Sequence, residues 1–209
     1  MQEFSSKLLE NTVFHLSKLP GIGKRTAVRL ALHLLNQSVE DVDNLVNAIS
    51  SMRHDIFFCK NCHSIADSEE CEICRNQNRN KQQICVVQDI RDVIALENTQ
   101  VYKGVYHILG GVISPMNGIG PKELHLDSLF EKVRNHSTAE IILALPTTTE
   151  GDTTSYFIYK HMIAMNSLVK ITTIARGLSI GDELEYADEI TLGRSFINRI
   201  DFELSIQDK

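Results

Sequence analysis

No apolar run in this chain approaches the roughly 20 residues that a bilayer span requires, although 43% of its 209 residues are hydrophobic, enough for a substantial core. Nor does the start, MQEFSSKLLENTVFHL, join a charged stretch to a long apolar one. It is amphipathic, so no secretory signal is evident, and a cytoplasmic protein without membrane contact is expected. A phosphate-cradling loop is also missing. Gly118-Ile119-Gly120-Pro121, after Ser114-Pro115, lacks the lysine and the strand–glycine–helix order of a nucleotide site. The eight histidines are scattered, and no Ser-His-Asp or Cys-His arrangement has local support. Positive charge is scarce overall. A net charge of −6 argues by itself against a nucleic-acid partner, but the distribution matters more. Residues 82–209 carry 11 basic and 17 acidic groups, so the whole deficit lies there. Residues 18–29 carry Lys18, Lys24, Arg25 and Arg29 and no acid. A locally basic N-terminal segment therefore joins an acidic body.

Four of the five cysteines are concentrated at Cys59, Cys62, Cys71 and Cys74, as C-x2-C-x8-C-x2-C. Each close pair brings two thiolates to one side of an ion, and the polar loop returns the second pair to the other, as a tetrahedral zinc site needs. Two disulfides are the alternative, disfavoured in an intracellular chain. Four thiolates leave no position for a catalytic water, so the expected zinc is structural. His63, just inside the loop, is redundant as a ligand. Cys85 lies in the apolar run ICVV and reads as a small buried hydrophobe.

Residues 4–18 carry Phe4, Leu8, Leu9, Val13 and Leu16 near helical spacing, with Leu19 just beyond. Pro20 ends that helix, and Gly21 and Gly23 permit backbone conformations closed to other residues. A second helix follows over about 24–35, with Ala27, Leu30, Ala31 and Leu34 facing inward. This is a helix-hairpin-helix pattern. Its glycines let backbone N–H groups approach a phosphate, and the second helix points its positive end the same way. Arg25 and Arg29 lie one turn apart on the same face. Sequence-nonspecific DNA binding through phosphates, weakened by salt, is expected of Gly21, Gly23, Lys24, Arg25 and Arg29. An ordinary tight turn with a solvated basic face is the alternative. Ser38 should cap a third helix running to about residue 55. Arg53, Lys60, Arg75, Arg79 and Lys81 flank the zinc loop, either as an extension of the phosphate surface or as a solvated rim.

From residue 84 short apolar runs alternate with mixed segments. Strands are expected at 84–88, 105–109, 140–145 and 170–175, and helices at 89–97, 125–134 and 152–165. Such alternation predicts a mostly parallel sheet with helices on both faces, whose function gathers at the carboxyl ends of the strands. There Gln88, Asp89 and Asp92 follow the first strand, with strand alternation turning Asp89 away from Gln88. Pro-Thr-Thr-Thr-Glu150-Gly151-Asp152 follows the third. Glu150 and Asp152 read either as a Mg²⁺ pair or as residues for helix capping or protein contact, with Asp152 as the cap.

The order of parts resembles the bacterial RecR family of recombination proteins along nearly the whole chain. The segments that carry the resemblance are LPGIGKRTAVRLALHLL, CKNCHSIADSEECEICRN, ICVVQDIRDVIALENT, GGVISPMNGIGP, LPTTTEGDTTSYFI and IARGLSIGDELEYADEITLGRS. It implies a multi-domain α+β protein: a helix-hairpin-helix domain at 1–56, a four-cysteine zinc finger at 57–80, a Toprim α/β domain at 81–178, and a C-terminal segment at 179–209 that packs on the Toprim domain or a neighbouring subunit. It further implies a non-enzymatic, nucleoid-associated mediator of recombinational repair. Such a mediator is a DNA-binding clamp, a homodimer or ring-shaped homotetramer, that works with RecO and RecF to load RecA on gapped single-stranded DNA. Arg25 and Arg29 correspond to basic residues of the DNA-facing surface, and Glu150 and Asp152 lie where the family meets RecO. One departure matters. Toprim enzymes, and many RecR sequences, place a glutamate where this chain has Gln88. A neutral amide is a weaker Mg²⁺ ligand and no carboxylate base, which counts against the alternative of a Mg²⁺-dependent Toprim-type DNA-processing enzyme.

Overall fold

The computed structural model describes residues 6–135, 138–165, 168–179, 181, 183–199 and 201. The chain divides into two compact units, Met1–Ile56 and Phe57–Lys209.

The first unit is helical: α1 (Lys7–Leu16), α2 (Lys24–Leu35) and α3 (Val39–Asp55). Helix α1 is shorter than its periodicity predicts, because Ser6 caps it by accepting a hydrogen bond from the Leu9 amide. Phe4, expected inside that helix, lies outside the described residues. Val13 of α1 packs on Ala27 and Ala31 of α2, with Leu9, Leu16, Ile22 and Val28 around them. Alanines one turn apart let the two helices approach closely. Ser38 caps α3, accepting from the Asp41 amide at 3.1 Å, as its sequence predicts.

The second unit opens with the cysteine module. It holds a short antiparallel pair, β1 (Phe57–Phe58) with β2 (Ile65–Ala66), and a single turn, α4 (Glu72–Arg75). The sheet follows: β3 (Asn80–Val87), α5 (Ile90–Asn98), β4 (Gly104–Ile108), α6 (Leu126–Asn135), β5 (Glu140–Ala144), α7 (Thr149–Ala164), β6 (Lys170–Thr173) and finally α8 (Glu189–Ile197). All strand pairs of this sheet are parallel, in the order β4-β3-β5-β6. Strand β3 begins four residues earlier than expected. Its polar start, Asn80 to Gln83, carries no hydrophobic signal yet pairs with its neighbours.

Side-chain alternation sorts the core. Ile84, Val86, Ile141 and Leu143 face α6 and α7 through Leu129, Phe130, Ile158 and Met162. Cys85, Val87, Tyr106, Ile108 and Ala144 face α5 through Val93 and Leu96. Cys85 is buried among them, as expected. Helices therefore cover both faces, which is why these strands read as continuous apolar runs. No described helix is long and apolar enough to cross a membrane.

The ends of β3 and α5 are tied by Arg79 and Glu97, a bidentate pair with Arg79 Nη1 2.9 Å from Glu97 Oε1. The Tyr106 hydroxyl donates to the same oxygen at 2.7 Å. Arg79 thus leaves the basic flank on which the sequence had grouped it. Hydrogen bonding from Arg79 holds the Glu97 carboxyl below the usual range. The stability it contributes is complete above the ordinary carboxylate pKa and is lost as pH falls through the depressed value. Glu97→Gln should lower stability by about 1–3 kcal/mol at neutral pH and by clearly less in acid. Urea unfolding of both proteins at two pH values checks this; equal losses at both would refute it.

Candidate metal centre and nucleic-acid interface

The metal centre is built by two tight turns. In the first, the Cys59 amide donates to the Ser64 carbonyl at 2.7 Å and the His63 amide returns to the Cys59 carbonyl at 2.9 Å. His63 adopts φ 62, a left-handed conformation that a non-glycine residue holds only with support. That support comes from the sheet domain: His63 Nε2 lies 2.8 Å from Ser128 Oγ, and its ring stacks on His125 with centroids 3.9 Å apart. His63 is no ligand; it fastens the turn to α6. In the second turn, Cys71 precedes α4 and its carbonyl accepts from the Arg75 amide at 3.0 Å.

All four sulfurs are free thiols, buried, and within 4.8 Å of one another. Cys62 Sγ and Cys71 Sγ are 3.5 Å apart. A tetrahedron with Zn–S bonds of about 2.3 Å has edges of about 3.8 Å, so the spacing fits the ion. The chemistry fits too. Crowded thiols resist joint ionisation. Cys62 is pushed up to about 12, first by its hydrogen bond with Cys71, and Cys74 is pushed up by Cys62, Cys71 and burial. Cys71 holds the low end of the shared protons through Cys62 and Cys74. A divalent cation removes that opposition and lets all four ionise. The structural zinc expected from spacing has its ligand cage.

At the carboxyl ends of β3 and β5, where the strand order reverses, the structure brings together Gln88 and the 146–152 turn. Asp89 does not continue the strand. It caps α5, accepting from the Arg91 amide at 2.8 Å, and Asp92 accepts from the Gln88 and Asp89 amides in return. Helix α7 is capped by Thr148, not by Asp152 as the sequence suggested. The reason lies in Gly151: a Cβ there would stand 1.9 Å from the Pro146 carbonyl oxygen. The chain packs that closely only at glycine, and the Gly151 amide donates to Thr148 Oγ1 at 3.2 Å, which closes the first turn from Thr148. Asp152, freed from capping, pairs with Arg176 just past β6, Oδ1 to Nη2 2.6 Å. That pairing holds its carboxyl below the usual range. Glu150 sits one residue before Gly151 in the same first turn. Among the described residues, the four cysteines are the one group of three or more His, Cys, Asp or Glu side chains whose ligand atoms converge.

In the helical unit, the turn between α1 and α2 is open. Gly21 has φ 78, which favours glycine, and a Cβ on Gly21 or Gly23 would meet nothing within 4 Å. Gly23 begins α2 without a side-chain cap, and the first turn of α2 holds no acid. Lys24, Arg25 and Arg29 are exposed at that end. They join no ion pair among the described residues. Lys18 lies over the Phe14 ring, 4.2 Å from its centroid.

Sequence reasoning missed Arg176, Lys132 and the histidines behind the metal turn. Each acts on a partner distant in the chain, and no local pattern marks it.

Comparison with known proteins covers nearly the whole chain. Residues 9–53 match a model described as RecR, helix-hairpin-helix, and residues 56–76 match the four-cysteine zinc finger domain of RecR. Residues 82–175 match the Toprim domain, and residues 177–200 match RecR, C-terminal. A Recombination protein RecR of Flavobacterium johnsoniae is 60% identical over 201 residues, spanning 96% of this chain and 97% of the relative. One of Bacteroides thetaiotaomicron is 54% identical over 95% of this chain and 96% of its own. Another, of Porphyromonas gingivalis, is 50% identical over 99% of each.

Cys71→Ser should release the zinc and lower the melting temperature, because a structural site supplies folding energy directly. Metal analysis with a thermal melt tests this; a soluble variant with stoichiometric zinc and unchanged melting would contradict it.

Proposed function

The chain belongs to the RecR family of recombination proteins, and on that premise we propose that it is a non-enzymatic DNA clamp for recombinational repair. In this reading it binds gapped DNA without regard to sequence and works with RecO and RecF to help load RecA on the single strand. It acts as a homodimer or ring-shaped homotetramer in the bacterial cytoplasm, at the nucleoid. The observation that carries the reading is the open Gly21–Gly23 turn followed by an acid-free helix start bearing Lys24, Arg25 and Arg29. Backbone N–H groups at that start have no intrahelical partner, and a phosphate oxygen satisfies them. Arg25 and Arg29 then reach neighbouring phosphates as fixed charges, which gives affinity without base readout.

The region where the strand order reverses supports a contact role over catalysis. Metal-assisted phosphodiester chemistry uses several carboxylates around its ions. Here Gln88 is neutral, Asp89 and Asp92 are engaged in capping, and Asp152 is held by Arg176. Glu150 with Asp152 then serves as an acidic patch for a protein partner, RecO. The enzyme reading keeps one point in its favour, the absence of any ion pair to the Glu150 carboxylate among the described residues.

End-labelled gapped DNA, incubated with the protein and Mg²⁺ and run on native and denaturing gels, separates the two. A shifted but intact strand is expected. Arg25→Ala with Arg29→Ala should weaken binding about tenfold or more and flatten its salt dependence, by about 0.7 in log–log slope for each single-strand phosphate no longer neutralised. A cleaved strand, with cleavage abolished by Glu150→Gln, would overturn the clamp reading.

A further inference from the structure

Lys132 is a cation in an unusual place. It lies on α6 in the sheet domain, and its Nζ is 3.1 Å from Nδ1 of His107. His107 is fully buried on β4. Its Nε2 faces the His125 carbonyl at 2.7 Å, so Nε2 carries the proton and Nδ1 accepts from the lysine. Burial keeps this imidazole neutral. The hydrogen bond therefore orients Lys132 without neutralising it, and among the described residues no carboxylate pairs with it. A largely buried ammonium without a counter-ion is costly.

Lys132 and Cys74 line one cavity of about 320 Å³, and the one carboxylate on its wall, Glu70, accepts from the Asn61 side-chain amide at 2.8 Å. The Ile108 amide, one residue past His107, donates to the Cys62 carbonyl at 2.9 Å and seats the metal turn on the free edge of β4. Zinc with four thiolates carries two positive charges against four negative ones, roughly a dianion, and all four ligands are buried. Of the cations near the cysteines, Lys81 lines the same cavity but is exposed, unlike Lys132. Lys60 pairs with Glu69 at the surface, Arg75 is exposed, and Arg79 is bound to Glu97.

We propose that Lys132 is the buried counter-charge of the zinc tetrathiolate, a positioning residue contributed by the sheet domain that retains the ion and fastens the two modules together. The proposal rests on the zinc assignment but not on DNA binding. It makes zinc retention depend on a helix more than fifty residues away in sequence from the last ligand, Cys74. It also gives the His107–Lys132 bond a purpose: it holds the ammonium in one position on the cavity wall.

The test uses the zinc-loaded full-length chain and a colorimetric chelator. Lys132→Met keeps the length and removes the charge; it should release zinc about tenfold faster or more, within the range for outer-shell partners. Lys132→Arg, which keeps the charge, should stay near wild type. With cobalt(II) in place of zinc, the sulfur-to-metal charge-transfer band should move to longer wavelength in Lys132→Met and not in Lys132→Arg, because removing a nearby cation raises the thiolate electrons in energy. Release at the wild-type rate with an unmoved band would overturn the proposal. So would equal loss in the Met and Arg variants, which would make the role one of packing. If Lys132→Met does not fold, Lys132→Gln, which retains a donor for His107, is measured against the same two outcomes. A wild-type chain that holds no zinc would instead fail the zinc assignment itself.

Discussion

Four buried thiols that cannot all ionise without a cation are the constraint on which the second unit turns. Their closure around zinc fixes the turn at Cys59 and Cys62, and that turn presents the Cys62 carbonyl to the edge of β4. An exposed edge strand is a site for unwanted pairing, and here the metal module covers it. The same closure sets His63 against His125 and Ser128, in a backbone conformation that its ring contacts stabilise. A zinc module of this size has almost no core of its own, so the ion and the docking face together do what a hydrophobic interior does elsewhere.

The sheet shows how one architecture changes use. Its strand order places β3 and β5 side by side where the chain reverses direction, the location that α/β proteins use for ligands. The groups that stand there are committed to holding the fold. Asp89 and Asp92 close the start of α5, Thr148 closes the start of α7, and Arg176 holds Asp152. Gly151 governs this end of the domain through its approach to the Pro146 carbonyl, which brings the α7 start against the strand end, with Glu150 half-buried and Asp152 exposed. Acid there suits the positive end of a helix and the recognition of a basic partner equally.

In the helical unit a different economy holds. Small residues on α2 allow α1 to pack closely, and the turn between them leaves amide groups and basic side chains free at the same end. Charge is the main resource of that surface, so under the proposed function salt and the number of phosphates reached, rather than sequence, would tune its binding.

What the sequence determined by itself was local. Helical spacing marked α1 and α2, the Ser38 cap marked α3, the apolar runs marked the sheet strands, and two cysteine pairs marked the metal, because each signal is carried by residues a few positions apart. Gln88 could also be read directly, since its chemistry is fixed whatever surrounds it. The tertiary structure alone decided that Thr148 rather than Asp152 caps α7, that Arg79 leaves the basic flank for Glu97, that Arg176 holds Asp152, and that Lys132 shares a cavity with Cys74. Those choices depend on close approaches between segments far apart in the chain. Steric exclusion at Gly151 and the cost of a buried, unpaired charge act only once the chain has folded.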